Sequence, residues 1–287
     1  MTGKKKHQIT IYYPNQRHEL GFLKTWAVML KNIIQSRELI WQLFKRDFFA
    51  SYKKSFIGIT WIFLSPIIGI ISWIFLNMTG MLHPGDVGIP YPAYVLVGSS
   101  MWGLFMGFFN SAKATLSSGK DLVFQVNYPH EVLLFKETAQ HLANFLITLL
   151  INIIVLFALG VIPSWKIIFL PLITLPLFFL GASVGLIFSM VSIVAMDINR
   201  ITEMGMGLLM YLTPIIYSSK VKSVLVQEII KMNPLTYLVC SARDIIIYGR
   251  LYNTIGFIFC SLFSLLLFLI SWRLFFVSEN KIIERMI

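Results

Sequence analysis

The stretch "IIKMNPLTYLVCSARDIIIYG", residues 229–249, decides how the rest of the chain is threaded: it lies among apolar sequence yet carries Lys231, an Asn233-Pro234 break and the adjacent pair Arg243 and Asp244. The apolar runs on either side of the break are about ten residues long, whereas a membrane-crossing helix needs about 20. A re-entrant pair satisfies both facts. One short helix dips in, the chain breaks at Asn233-Pro234, and a second climbs back to Tyr248-Gly249. Non-helical backbone at membrane depth is tolerated only where protein or water covers it, so the stretch is expected to line or cap a protein-enclosed passage.

The sequence around it is that of a membrane protein. Of 287 residues 57% are hydrophobic and 13% charged, and the mean hydropathy is +0.76, more apolar surface than a soluble core of this size hides. Residues 55–85, 87–112, 138–165, 167–196, 204–219 and 251–272 contain no Asp, Glu, Lys or Arg. None alternates with a strand-like period, which disfavours a barrel. The expected fold is an all-α integral membrane protein with six transmembrane helices, an N-terminal amphipathic interface helix, and the re-entrant pair between spans five and six. In boundaries, residues 1–54 form a cytoplasmic basic arm and 55–287 one transmembrane domain, with spans at about 57–80, 92–113, 130–159, 167–196, 201–219 and 251–275, a coupling helix at about 118–128 and re-entrant helices at about 221–249.

The net charge of +11 is unevenly placed: 11 of the 24 Lys and Arg precede Ser55, offset there only by Glu19, Glu38 and Asp47. A basic arm ahead of a first span reports topology, not nucleic acid, and puts both termini in the cytoplasm. The first connection has no Lys or Arg and the second carries Lys113 and Lys120, as outside and inside loops should. After span five the bias fails, since Lys220, Lys222, Lys231, Arg243 and Arg250 would all lie outside, so more than a bare loop is expected there. The first 54 residues lack the apolar core of a cleavable signal peptide. Cys240 and Cys260 have no metal or redox spacing.

Residues 36–55, "SRELIWQLFKRDFFASYKKS", set Leu39, Leu43, Phe44 and Phe48 at helical spacing against Arg37, Lys45, Lys53 and Lys54. That is an interfacial amphipathic helix or a simple basic anchor. Residues 120–128 hold Leu122, Val123, Phe124 and Val126, apolar side chains that suit docking on lipid or on a partner protein. The charge-free windows disfavour ion-coupled transport, and the five histidines show no ligand spacing. No phosphate loop of the form G-x-x-x-x-G-K-[ST] occurs, so energy would come from a partner. Trp102, Phe105 and Phe109 share a helical face, which serves packing or lipid contact, or offers a stacking surface for sugar rings.

The segment "RDFFASYKKSFIGITWIFLSPI", 46–67, resembles the start of the first span in type-2 ABC exporter permeases of the polysaccharide family, which export O-antigens, capsules and teichoic acids. The resemblance continues through "YPAYVLVGSSMW" at 91–102, Tyr128-Pro129-His130-Glu131, "TPIIY" at 213–217 and the Asn-Pro plus Arg-Asp stretch, in that order. Met196-Asp197 stands where the family often has Arg-Asp, and Thr213 where it often has Ser. The resemblance implies a homodimer in the bacterial cytoplasmic membrane, with two copies of a separate ATPase that binds ATP and Mg, this chain holding no cofactor. It implies that Glu38, Trp41, Gln42, Lys45, Lys120, Asp121, Phe124 and Gln125 dock the ATPase, and that Lys231, Asn233, Arg243 and Asp244 shape an external mouth. It also implies a lipid-linked glycan whose anionic diphosphate is collected by Lys45, Arg46, Lys53 and Lys54, with Trp102, Phe105, Phe109 and Tyr217 as channel aromatics. The nearest rival substrate is a drug or lipid, carried by an exporter of the same type.

Overall fold

The computed structural model describes residues 21–53, 58, 60–80, 85, 87–118, 131–192, 197–219 and 223–284. Among them every regular element is helical. In chain order these are α1 (Phe22–Gln35), α2 (Arg37–Lys53), α3 (Thr60–Met78), α4 (Tyr91–Lys113), α5 (Glu131–Ala158), α6 (Leu170–Ser192), α7 (Asp197–Tyr211), α8 (Val224–Met232), α9 (Pro234–Ile247) and α10 (Thr254–Glu284). A single turn, Thr115–Ser118, follows α4, and a 3-10 turn, Trp165–Phe169, leads into α6.

Among the described residues, four segments are long and apolar enough to cross a membrane: Tyr91–Lys113, Glu131–Ala158, Trp165–Ser192 and Thr254–Ser278. They stand at the expected second, third, fourth and sixth spans. α3 and α7 occupy the places of the first and fifth. α3 carries the shorter apolar run Ile67–Leu76, and α7 has 15 residues. The fifth span was expected to run to about residue 219, but its helix ends at Tyr211 because Pro214 lacks an amide proton and disfavours helical backbone at Thr213.

Side-chain contacts give the helix directions. Gly181 lies against Phe105 and Phe108, and Gly185 against Phe109 and Ala112, so α4 and α6 run parallel. Asn152 reaches Ser100 while His141 reaches Leu104, so α5 runs antiparallel to α4. Phe178 meets Phe268, and further along Leu186 clusters with Phe275, so α10 is parallel to α6. α4, α6 and α10 thus point one way and α5 the other. α4 is the central helix, with Val95, Met101, Leu104, Phe105 and Phe109 buried. The outer faces of α5 (Leu146, Leu150, Ile154) and α10 (Phe259, Leu262, Leu266) stay apolar and exposed, as lipid contact requires.

α1 adds a helix that the sequence reading did not assign within the basic arm. Trp26, Met29 and Ile33 recur at helical spacing and join a cluster that includes Leu134 of α5 and Trp272 and Phe275 of α10, where the Trp26 and Trp272 rings lie 6.1 Å apart edge to face. The arm therefore holds two helices, which meet at Ser36.

Candidate functional site

Two sites lie at opposite ends of the helix stack. At the first, residues 37–53 are helical as α2, and Glu38, Trp41, Gln42 and Lys45 are all exposed on it. They form one strip: Gln42 donates from Nε2 to Glu38 Oε1 at 2.9 Å, and Lys45 Nζ lies 4.8 Å from the Trp41 ring centroid. The other side of α2 is fastened to α5. Leu43 is buried with Val132 and Leu133, and Ile40 packs against them. Beside that contact, Lys136 of α5 donates to Asp47 Oδ2 at 2.8 Å and to Glu137 Oε1 at 2.7 Å. Arg46 Nε donates to Asp47 Oδ1 at 2.7 Å. Burial alone would raise the Asp47 pKa, but the hydrogen bonds and charges of Arg46 and Lys136 outweigh it and hold the carboxyl below the ordinary aspartate range. A depressed pKa contributes stability that is present above the unfolded value and lost as pH falls through the folded one, so the Asp47 carboxylate is ionised at neutral pH.

The second site is the break after α7. Residues 212–217 are not helical, and their carbonyls need donors. The α4 and α9 ends supply them. Asn233 Nδ2 donates to Leu212 O at 3.3 Å and to Thr213 Oγ1 at 2.9 Å. Arg243 Nη1 donates to Pro214 O at 2.9 Å, Tyr91 to Ile216 O at 3.0 Å, and Tyr94 to Tyr217 O at 3.1 Å. The Arg243 guanidinium lies 4.1 Å from the Tyr94 ring centroid and pairs through Nε with Asp244 Oδ1 at 2.8 Å. Asn233 also caps α9, its Oδ1 accepting from Leu235 N at 3.0 Å, with Pro234 in the first turn. The "TPIIY" and Asn-Pro…Arg-Asp motifs are therefore halves of one structure.

Of the residues expected at an outer mouth, Lys231 is exposed and pairs with Glu228 at 2.8 Å. Arg243 and Asp244 are buried, at 3% and 7% exposure, because their charges face the broken backbone and each other. Trp102, Phe105 and Phe109 are buried in the chain's own core: the Trp102 and Phe105 rings lie 5.3 Å apart, and Phe109 meets Phe188. Tyr217 is half-buried and donates to Tyr211 O at 2.8 Å. Lys120, Asp121, Phe124, Gln125 and Lys54 lie outside the described residues, and of Lys53 only the backbone is described.

Sequence reading passed over Lys136, Tyr91, Tyr94 and the pair Gly181 and Gly185. Lys136 was legible as a lone lysine two turns into an apolar helix, and "GASVG" at 181–185 as a small-x-x-x-small motif.

Parallel and antiparallel apolar helices of spanning length around a satisfied backbone break define a multi-pass α-helical membrane protein, and the described residues hold no group of side chains able to bind a metal. The chain belongs to the ABC-2 type transporter family, whose profile matches residues 38–247. It is 24% identical over 226 residues to an O-antigen export system permease protein, RfbA, of Myxococcus xanthus, covering 78% of this chain and 85% of that one. Two Klebsiella pneumoniae proteins of the same name are also 24% identical, over 82% and 87% of this chain and 85% and 91% of theirs.

Proposed function

We propose that this chain is the permease subunit of an ATP-driven exporter that moves a polyprenyl-diphosphate-linked polysaccharide across the bacterial cytoplasmic membrane. The observation that carries the reading is the family match together with O-antigen export permeases aligned along 78–87% of the chain. In this reading the chain makes six spans, with α3 and α7 as first and fifth, so both termini share one side, and the basic N-terminal arm assigns that side to the cytoplasm. The chain acts as a homodimer over two copies of a separate ATPase, which supplies the ATP and Mg chemistry. Lys45 and Arg46, exposed on α2, collect the lipid diphosphate together with Lys53 and Lys54. At the outer end, Lys231 borders the mouth, while Asn233, Arg243 and Asp244 hold the backbone behind it.

Depletion in the native cell tests the reading. Lipid-linked glycan should accumulate on the cytoplasmic leaflet, scored in sealed vesicles of both orientations, and surface glycan should fall. An unchanged distribution would overturn it in favour of a drug or lipid substrate.

The exposed strip of α2 is the proposed ATPase contact, joined by the loop holding Lys120, Asp121, Phe124 and Gln125. Trp41→Ala should lower the ATPase recovered with affinity-tagged permease by about tenfold, the scale of an interfacial tryptophan. Undiminished recovery would remove the strip from the interface.

A further inference from the structure

We infer that the Asp47–Lys136 ion pair is the link that passes movement of α2 into α5, making Lys136 a positioning residue for transport. The inference rests on the proposed docking strip and adds what lies behind it. At about 100° per residue, Glu38, Trp41, Gln42 and Lys45 centre on one side of α2, and Ile40, Leu43 and Asp47 on the opposite side. A force on the exposed strip is therefore delivered to α5. Apolar contact of Leu43 with Val132 and Leu133 resists compression but little resists sliding. The ion pair supplies the directional hold. Lys136 is 5% exposed within a spanning helix, a costly place for an ammonium, and its two carboxylate partners stand at 2.8 and 2.7 Å. One of those partners belongs to α2. Leu43 and Asp47 sit one turn apart, so the apolar and charged contacts fix α2 to α5 at two points.

The test uses tagged permease in its native membrane with its ATPase: Asp47→Asn, Lys136→Met, and the reversal combining Asp47→Lys with Lys136→Asp. In the single variants, ATPase recovery and hydrolysis should stay within about twofold while surface glycan falls about tenfold, a usual size for lost coupling. The reversal should restore most of the export. Undiminished export in the singles would overturn the inference, as would a reversal that assembles yet exports no better than they do. Loss of folded protein in all three would assign the pair to folding alone and overturn it too. Failure of the docking reading is separately visible, because it shows as unchanged ATPase recovery in Trp41→Ala.

Discussion

Gly185→Leu is expected to leave little folded protein. A Cβ at this position would lie 2.4 Å from Phe109 O, 2.7 Å from Ala112 Cβ and 3.0 Å from Lys113 N. Two of those atoms are backbone, so no rotamer change relieves the clash and α4 must move away from α6. One turn earlier, Gly181 is nearly as close, its Cβ position 3.0 Å from Phe105 O. Between helices that share the same apolar solvent, close backbone approach through small residues is a main source of attraction, and separating them forfeits it along the whole contact. Overpacking costs about 1–3 kcal/mol where side chains can yield, and a backbone clash exceeds that against a total stability of about 5–15 kcal/mol. Gly185→Ala should already lower the melting temperature in detergent, and Gly185→Leu should abolish a monodisperse peak. Gly103→Ala is the control, since nothing lies within 4 Å of its Cβ position. Normal melting of Gly185→Leu would mean that α4 and α6 do not approach in this way.

Arg243→Ala should be the most damaging change at the backbone break. It leaves the Asp244 carboxylate buried without its partner and takes a donor from Pro214 O. Breaking a buried pair from one side costs about 3–5 kcal/mol, while replacing both members with apolar groups is often milder. The double replacement Arg243→Leu with Asp244→Leu should therefore melt above the single variant. Arg243→Lys should fail to rescue fully, because an ammonium lacks the planar fork that serves Asp244 and Pro214 together and lies over Tyr94. Cys240 offers a local readout: it is wholly buried one turn before Arg243, with Sγ 3.7 Å from Pro214 O. In a Cys260→Ser background, maleimide should label Cys240 in Arg243→Ala and not in the parent. A single variant as stable as the double, with Cys240 still shielded, would show that the break is held by Tyr91, Tyr94 and Asn233 alone.

The burial of Arg243 accounts for one of the five basic residues that break the positive-inside pattern after α7. The arginine holds the Pro214 carbonyl and pairs with Asp244, so its charge carries no topological information. The aromatic face of α4 shows a related ambiguity. Trp102, Phe105 and Phe109 share a face by spacing alone, and a face defines a direction, not what meets it; here Phe105 and Phe109 lie along the side that receives Gly181 and Gly185. The stripe of α1 was legible in Trp26, Met29 and Ile33 by the same rule that revealed α2, but the sequence reading took the residues ahead of α2 only as part of a basic arm.

The sequence by itself determined the all-helical membrane class, the places of the four spanning helices, α2 and the Asn233-Pro234 break. These follow from local constraints: the length needed to cross hydrocarbon, the 3.6-residue period and the backbone chemistry of proline. Only the tertiary structure decided the pairing of Asp47 with Lys136 across 89 positions, of Arg243 with Pro214 across 29, and of Tyr94 with Tyr217 across 123. It also decided the approach of Gly185 to Phe109. A side chain's type shows which partners would satisfy it, but the helix that arrives beside it is set by the packing of the whole stack.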